Sequence, residues 1–179
     1  DEALIEAASL SSHGNSILKE LFCDIVADKQ QFMHNVENFV YEDSMGLCGW
    51  INNRRILLGN RELMNSHNIE GIPTKTKESE FTEGNRDALY LSVSGNLAAM
   101  FIIEITASTA VKKSLKRLEK RDMAIIIKSV DPFISISRLS SLFGYSEELM
   151  KIIPQRMVKD FDEETRKVKK VSASMACAG

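Results

Sequence analysis

Two apolar runs, each folded back on itself by a two-residue turn, constrain this chain more than any other feature. In the first, Cys48-Gly49-Trp50-Ile51 and Arg54-Arg55-Ile56-Leu57-Leu58 flank Asn52-Asn53. Asparagine tolerates the positive φ that a tight hairpin needs. In the second, Ala88 to Ser94 and Leu97 to Glu104 flank Gly95-Asn96. Upstream, Val36, Asn38, Val40 and Glu42 alternate with Phe39 and Tyr41, which predicts a strand with Val36 and Val40 on one face. Strands joined so tightly must run antiparallel.

Helical spacing frames this sheet. Ala3, Leu4, Ala7 and Ala8 form one stripe, and Ile17, Leu18, Leu21, Phe22 and Ile25 a second, separated by Ser11 to Ser16. Ser16 is a suitable N-cap for the second helix, with Glu20 near the capping-box position. Gly59-Asn60 closes a strand, Arg61 to His67 predicts a short helix, and Asn68 to Thr82 reads as a connection punctuated by Gly71-Ile72-Pro73.

After Thr106 the pattern changes. Val111, Leu115 and Leu118 mark a basic-faced helix, Ala124 to Ile127 a wholly apolar strand, and Leu139, Leu142 and Phe143 another helix. A strand apolar on both faces between helices predicts a parallel, covered sheet. Two further helices are expected, at Ser146 to Ile152 and, highly charged, at Lys159 to Val171. The reading is α/β (α+β): an antiparallel sheet flanked by helices over 1–107, then a partial α/β segment over 108–179.

Composition narrows the function classes. The chain has 179 residues, 44% of them apolar and 27% charged, as in ordinary globular domains. Its 23 basic and 25 acidic residues leave a net charge of −2, which gives no electrostatic footprint for nucleic acid or anionic lipid. The longest apolar run, Leu97 to Ile103, falls far short of the ~20 residues that span a bilayer. Cys23, Cys48 and Cys177 are odd in number and widely spaced, which suits buried free thiols in a reducing compartment. The first residue is Asp1 within helix-like sequence, so the chain reads as part of a longer protein.

Three features carry candidate chemistry. Ser44-Met45-Gly46-Leu47-Cys48-Gly49 and Gly59-Asn60 put glycines at strand ends, where a missing Cβ serves either a turn or the close approach of backbone to a ligand. The bend Ser11 to Ser16 offers hydroxyls, the His13 imidazole and the Asn15 amide, for helix capping or for lining a base. Lys128-Ser129-Val130-Asp131-Pro132 follows the apolar strand, where ligands gather in open α/β sheets. Asp131 there either closes an Asp-Pro turn or holds Mg²⁺ near a phosphate.

In order along the chain, these residues resemble the large cytoplasmic loop of P-type cation-transporting ATPases, most like the heavy-metal-type branch. Asp1 to Ser9 looks like the helix that opens that family's nucleotide-binding domain. Ser12-His13-Gly14-Asn15-Ser16-Ile17-Leu18 sits where the family has a Ser-Glu-His-Pro-Leu type motif. Arg54 to Met64 is similar to its Val-Leu-Val-Gly-Asn-Arg-x-Leu-Met stretch, the most specific match, and Ser44-x-Gly46 falls on its Gly-x-Gly. Ser129-Val130-Asp131-Pro132 looks like its Thr-Gly-Asp loop.

The resemblance implies a nucleotide-binding domain over 1–107 and part of a Rossmann-like, haloacid-dehalogenase-like phosphorylation domain over 108–179. It implies ATP contacts at His13, Asn15, Ser16, Ser44, Gly46, Gly59 and Asn60, and a phosphate and Mg²⁺ vicinity at Ser129 and Asp131. The partners would be the transmembrane and actuator parts of the same ATPase, at the cytoplasmic face of a membrane, with the transported cation bound elsewhere. No phosphorylated aspartate in Asp-Lys-Thr-Gly-Thr lies in this sequence, so it is not catalytic alone. Several family positions are substituted. Asn15 replaces an acid, Ser16-Ile17 the His-Pro, Ser44 a glycine, Ser129-Val130 the Thr-Gly, and Met157 a phosphate-binding lysine; Ala107 stands where an arginine is common. Weak ATP binding is therefore expected.

Overall fold

The computed structural model describes residues 1–14 and 16–176, the side chains of 168–176 excepted. Helices α1 (Glu2–Ser12) and α2 (Ile17–Ile25) come first, followed by a 3-10 segment at Ala27–Phe32. Ser16 caps α2, its Oγ accepting from the Leu18 amide at 3.1 Å. Five strands then form a meander: β1 (Glu37–Glu42), β2 (Gly46–Ile51), β3 (Arg54–Gly59), β4 (Arg86–Val93) and β5 (Asn96–Glu104). Every neighbouring pair is antiparallel.

The turns explain the register. Asn52 and Asn53 both sit at positive φ, 49° and 60°, so Ile51 pairs with Arg54 and Cys48 with Leu57. The second turn falls one residue earlier than expected. Ser94 and Gly95 take the left-handed positions at 51° and 91°, and Asn96 already pairs with Val93 as the first residue of β5.

The sheet is covered on both sides. Leu47, Ile51, Ile56, Leu58, Leu89 and Leu91 pack with Ala7, Ala8, Leu10, Leu18 and Phe22 of α1 and α2. Cys48, Leu57, Ala88 and Tyr90 face the other way, onto Leu63 and Met64 of α3 (Arg61–Ser66). Two-sided burial is why Ile56-Leu57-Leu58 and Leu89-Tyr90-Leu91 read as unbroken apolar runs.

β1 departs from simple alternation. Asn38 has φ 50° and the pairing with β2 shifts between Glu37 and Val40. This bulge changes the phase of the strand. Val36 therefore joins the core together with Phe39 and Tyr41, while Val40 is exposed, correcting the face assignment expected from alternation.

The connection at 68–82 contains a helix, α4 (Lys75–Phe81), begun by Thr74, whose Oγ1 accepts from the Lys77 amide. Its polar sequence lacks an apolar stripe, so periodicity did not mark it. Beyond the first sheet, α5 (Thr109–Glu119), β6 (Ile125–Lys128), α6 (Ile136–Phe143), β7 (Met150–Ile153) and α7 (Gln155–Ala176) follow. β6 and β7 are parallel, as expected for such a strand. Met150–Ile153 is a strand where a helix was expected, since four residues between a 3-10 turn and Pro154 are too few to show a period. The covering of β6 is one-sided. Ile125 and Ile127 pack with Leu115, Leu118, Leu139 and Tyr145, whereas Ile126 is 45% exposed.

Among the described residues no helix is long and apolar enough to cross a membrane. Cys48 is buried and Cys23 only half-buried, both as free thiols. Cys177 lies outside the described residues.

Candidate functional site

The glycine positions meet where β2 begins and β3 ends. Gly46 pairs directly with Gly59, and both are buried. A Cβ on Gly46 would lie 2.2 Å from the Leu58 carbonyl oxygen, and one on Gly59 2.2 Å from that of Met45. The room left by the missing side chains is thus filled by the β3 backbone at Gly46, and by the turn before β2 and the Leu63 side chain at Gly59. Gly46 also has φ 148°, backbone that L residues rarely adopt.

Asn60 locks the turn that precedes β2. Its backbone amide donates to the Met45 carbonyl and its Nδ2 to the Ser44 carbonyl, each at 2.9 Å. Its Oδ1 meanwhile accepts from the Leu63 amide at 3.1 Å, capping α3. Ser44 itself is exposed at φ 61°, one of the strained turn positions.

At the bend between α1 and α2, His13 is exposed, its Nδ1 3.2 Å from both the Ser9 carbonyl and the Ser12 hydroxyl. Its ring stands 6.2 Å from that of Phe39. Asn15 lies outside the described residues. Ser16 is 8% exposed and does more than cap α2: its hydroxyl donates to Asp131 Oδ1. The other oxygen of that carboxylate accepts from Ser129 at 2.8 Å, and Ser129 Oγ in turn accepts from the Asp131 amide. The bend and the loop after β6 therefore meet through one carboxylate.

Of the residues expected at the site, Ser44, Asn60 and Ser129 line a cleft of about 1010 Å³, whereas His13, Ser16, Gly46, Gly59 and Asp131 are not among its lining residues. Ser44, Met45 and Asn60 line it from the first sheet, and Ser129, Pro132, Ser135 and Pro154 from the second segment. The charged lining is acidic: Asp43, Glu62, Glu147 and Glu148, with no lysine or arginine among the lining residues. Sequence reasoning missed these four carboxylates because they sit in turns and caps, where charge is unremarkable. Continuous with this cleft through Asn60, Glu62 and Pro132 is a second, of about 460 Å³, and it holds the cations Arg61, Lys75, Arg86 and Arg138.

Two of those cations are already paired with carboxylates. Arg61 pairs with Glu78, donates to the Pro73 carbonyl at 2.8 Å and to the Tyr90 hydroxyl at 3.1 Å. Burial, and then the Glu78 carboxylate, push the Tyr90 phenol well above its ordinary range and keep it protonated. Arg138 pairs with Asp87 at 2.6 Å. No group of three histidines, cysteines or carboxylates suited to a metal occurs among the described residues. Asp131, held by two hydroxyls, does not form an Mg²⁺ site by itself.

No family model matches the chain. Among curated proteins it is similar to the copper-exporting P-type ATPase of Legionella pneumophila, 20% identical over 155 residues that cover 87% of this chain and 21% of that protein. It is also similar to copper-transporting ATPase 2 of Rhizobium meliloti, 20% identical over 179 residues that cover 100% of this chain and 21% of that one. Of solved structures, the N-domain of HMA6, a copper-transporting P-type ATPase, aligns over 56% of this chain and 84% of its own, with 21% identity and a TM-score of 0.46. The catalytic domain of the CPx-ATPase CopB-B aligns over 84% of this chain and 50% of its own, with 18% identity and a TM-score of 0.49. The chain spans about a fifth of the length of the curated relatives it matches. The order of motifs along the chain and these curated relatives agree in what the chain is similar to, a stretch of copper-transporting P-type ATPases.

Proposed function

We propose that this chain is the ATP-binding portion of a P-type cation-transporting ATPase, with a nucleotide-binding domain over 1–107 and part of the phosphorylation domain over 108–179. In the whole protein ATP hydrolysis would proceed through an aspartyl-phosphate and drive an ion across the membrane, with this portion on the cytoplasmic face. A covalent carboxylate intermediate divides one difficult displacement into two easier ones. The observation that supports this reading is the cleft bounded by Ser44 and Asn60 on one side and Ser129 on the other. In this reading Ser44 and Asn60, two of the family-like nucleotide positions, share the cleft with the loop that resembles the phosphate end.

The chain's own residues then set the affinity. A base held without an imidazole and an acid partner loses about 1–3 kcal/mol, one to two decades in dissociation constant. Four carboxylates on the cleft wall oppose a triphosphate further, and positive charge is available only in the adjoining cleft. ATP would therefore bind weakly here, and this portion would not hydrolyse it alone. Mg²⁺ would have no site prepared by Asp131, so no step is assigned to it.

A second reading has its own observation: Ser16 and Ser129 already engage both oxygens of Asp131. A module that kept the pump scaffold and gave up nucleotide, acting in regulation or interaction, would be arranged this way. Titrating MgATP into the isotopically labelled chain and following the amides of Ser16, Gly46 and Gly59 separates the two. Shifts that saturate in the millimolar range support weak binding, and submicromolar saturation overturns the weakness. An absence of shifts at millimolar MgATP favours the non-nucleotide module.

A further inference from the structure

The function above makes no use of the most strongly charged surface of the chain. Along α5 and the turn that ends it, Lys112, Lys113, Lys116, Arg117, Lys120 and Arg121 are all exposed, and none makes an ion pair among the described residues. Six cations against Glu119 give residues 112–121 a net charge of +5 in a chain whose total is −2, so the remainder carries −7. At about 100° per residue the six cations fill one half of the helix circumference, opposite Leu115 and Leu118. Those two leucines pack inward with Ile125, Ile127 and Leu139.

Helix stability alone does not explain this placement. Cations in the last turn, Lys116 and Arg117 among them, suit the macrodipole. Lys112 and Lys113 stand in the opposite half, and the first turn holds no acid to answer the positive end. Like charges at 112, 113, 116, 117, 120 and 121 also repel one another at i,i+3 and i,i+4 spacing.

We propose that the basic face of α5 docks on an anionic lipid bilayer surface. Clusters of four to eight Lys and Arg on one helix face are drawn to acidic headgroups by diffuse attraction, without a pocket. Three features favour a bilayer over a macromolecular partner. Four of the six cations are lysines, mobile point charges rather than the planar forks suited to defined carboxylates. Leu115 and Leu118 are turned into the protein, and the exposed Val111 lies on their side of α5, so the basic face itself offers no apolar or aromatic anchor to a protein interface. No aromatic residue lies in 109–122, so a nucleic-acid base has nothing to stack on.

The test is sedimentation of the 179-residue chain with vesicles of phosphatidylcholine alone or with about a third phosphatidylglycerol, at ionic strengths of about 0.1 M and 0.5 M. Binding is expected only with the anionic lipid and only at the lower salt. The triple variant Lys116→Gln, Arg117→Gln, Lys120→Gln should bind about tenfold more weakly or worse. Glutamine keeps helix propensity, and circular dichroism verifies the fold. The control triple Arg156→Gln, Lys159→Gln, Arg166→Gln on α7 removes the same charge and should leave binding nearly unchanged. Equal loss from both triples, binding to phosphatidylcholine alone, no binding at either salt, or tighter binding to polyglutamate or single-stranded RNA than to the vesicles would each overturn the assignment.

Discussion

Glu6 is a carboxylate inside the core. It is 2% exposed on α1, with Arg54 Nη2 2.8 Å away on β3. Burial pushes its carboxyl above the ordinary range, and Arg54 offsets only part of that. A folded-state pKa above the unfolded one means that the folded chain binds the proton more tightly, so Glu6 contributes stability at low pH that is lost as pH rises through the window above about 4.3. Glu6→Gln removes this titration. Denaturant unfolding as a function of pH should show the stability difference, variant minus parent, growing with pH across that window and then levelling. A constant difference, or one that shrinks, would contradict the assignment. Nothing in the sequence announced Glu6, because a charged residue in a helix with a mixed stripe reads as surface. Ser16 was legible as a cap, since its hydroxyl has a local partner, but its bond to Asp131 spans 115 positions and no spacing rule reaches that far.

Elements were legible where local chemistry alone dictates them. The Asn52-Asn53 turn follows from residue preference for positive φ, and α2 from its stripe and cap. Those that depend on distant partners were not: β7 exists because β6 lies beside it, and the phase of β1 is set by the bulge at Asn38. The crossing of β2 and β3 joins both kinds. Gly59 was visible as a strand end, but the reason glycine is needed is the Met45 carbonyl at 2.2 Å and Leu63 Cδ2 at 2.5 Å from any Cβ placed there. The Met45 carbonyl, in the turn before β2 and bonded to the Asn60 amide, cannot move aside as a side chain tip can. Gly59→Ala should therefore destabilise by about 3 kcal/mol in denaturant unfolding, at the upper end of overpacking penalties. Gly84, with nothing within 4 Å of its virtual Cβ, provides the contrast. Gly84→Asn should lose less than about 1 kcal/mol, asparagine being tolerant of left-handed backbone. Equal losses at the two positions would mean that close approach does not fix the glycine at 59.

At the scale of the molecule, the segment after Ser108 is held to the first sheet at several separate points. Asp131 accepts from Ser16, Arg138 pairs with Asp87, and the Gln155 amide donates to Asp43 at 3.2 Å. These polar links are partly exposed and contribute modestly, an exposed ion pair being worth about 0–1 kcal/mol. Phe133 is different. It belongs by sequence to the loop between β6 and α6, yet it is 8% exposed within the core built by α1, α2 and the sheet. Its motif neighbour Asp131 drew attention in the sequence, whereas one phenylalanine in a short loop could have faced either way. Removing the ring should weaken both local packing and the attachment of the two parts. Phe133→Ala should destabilise by about 3–5 kcal/mol if the core is continuous with that of the sheet. Amide exchange locates the effect: protection should fall most in β6 and α6 and least in β2 to β4, because those strands keep their ladders and both covering helix layers. A uniform fall across both sheets would show instead that they unfold as one cooperative unit, and Phe133 would then be ordinary core rather than the anchor of the second segment.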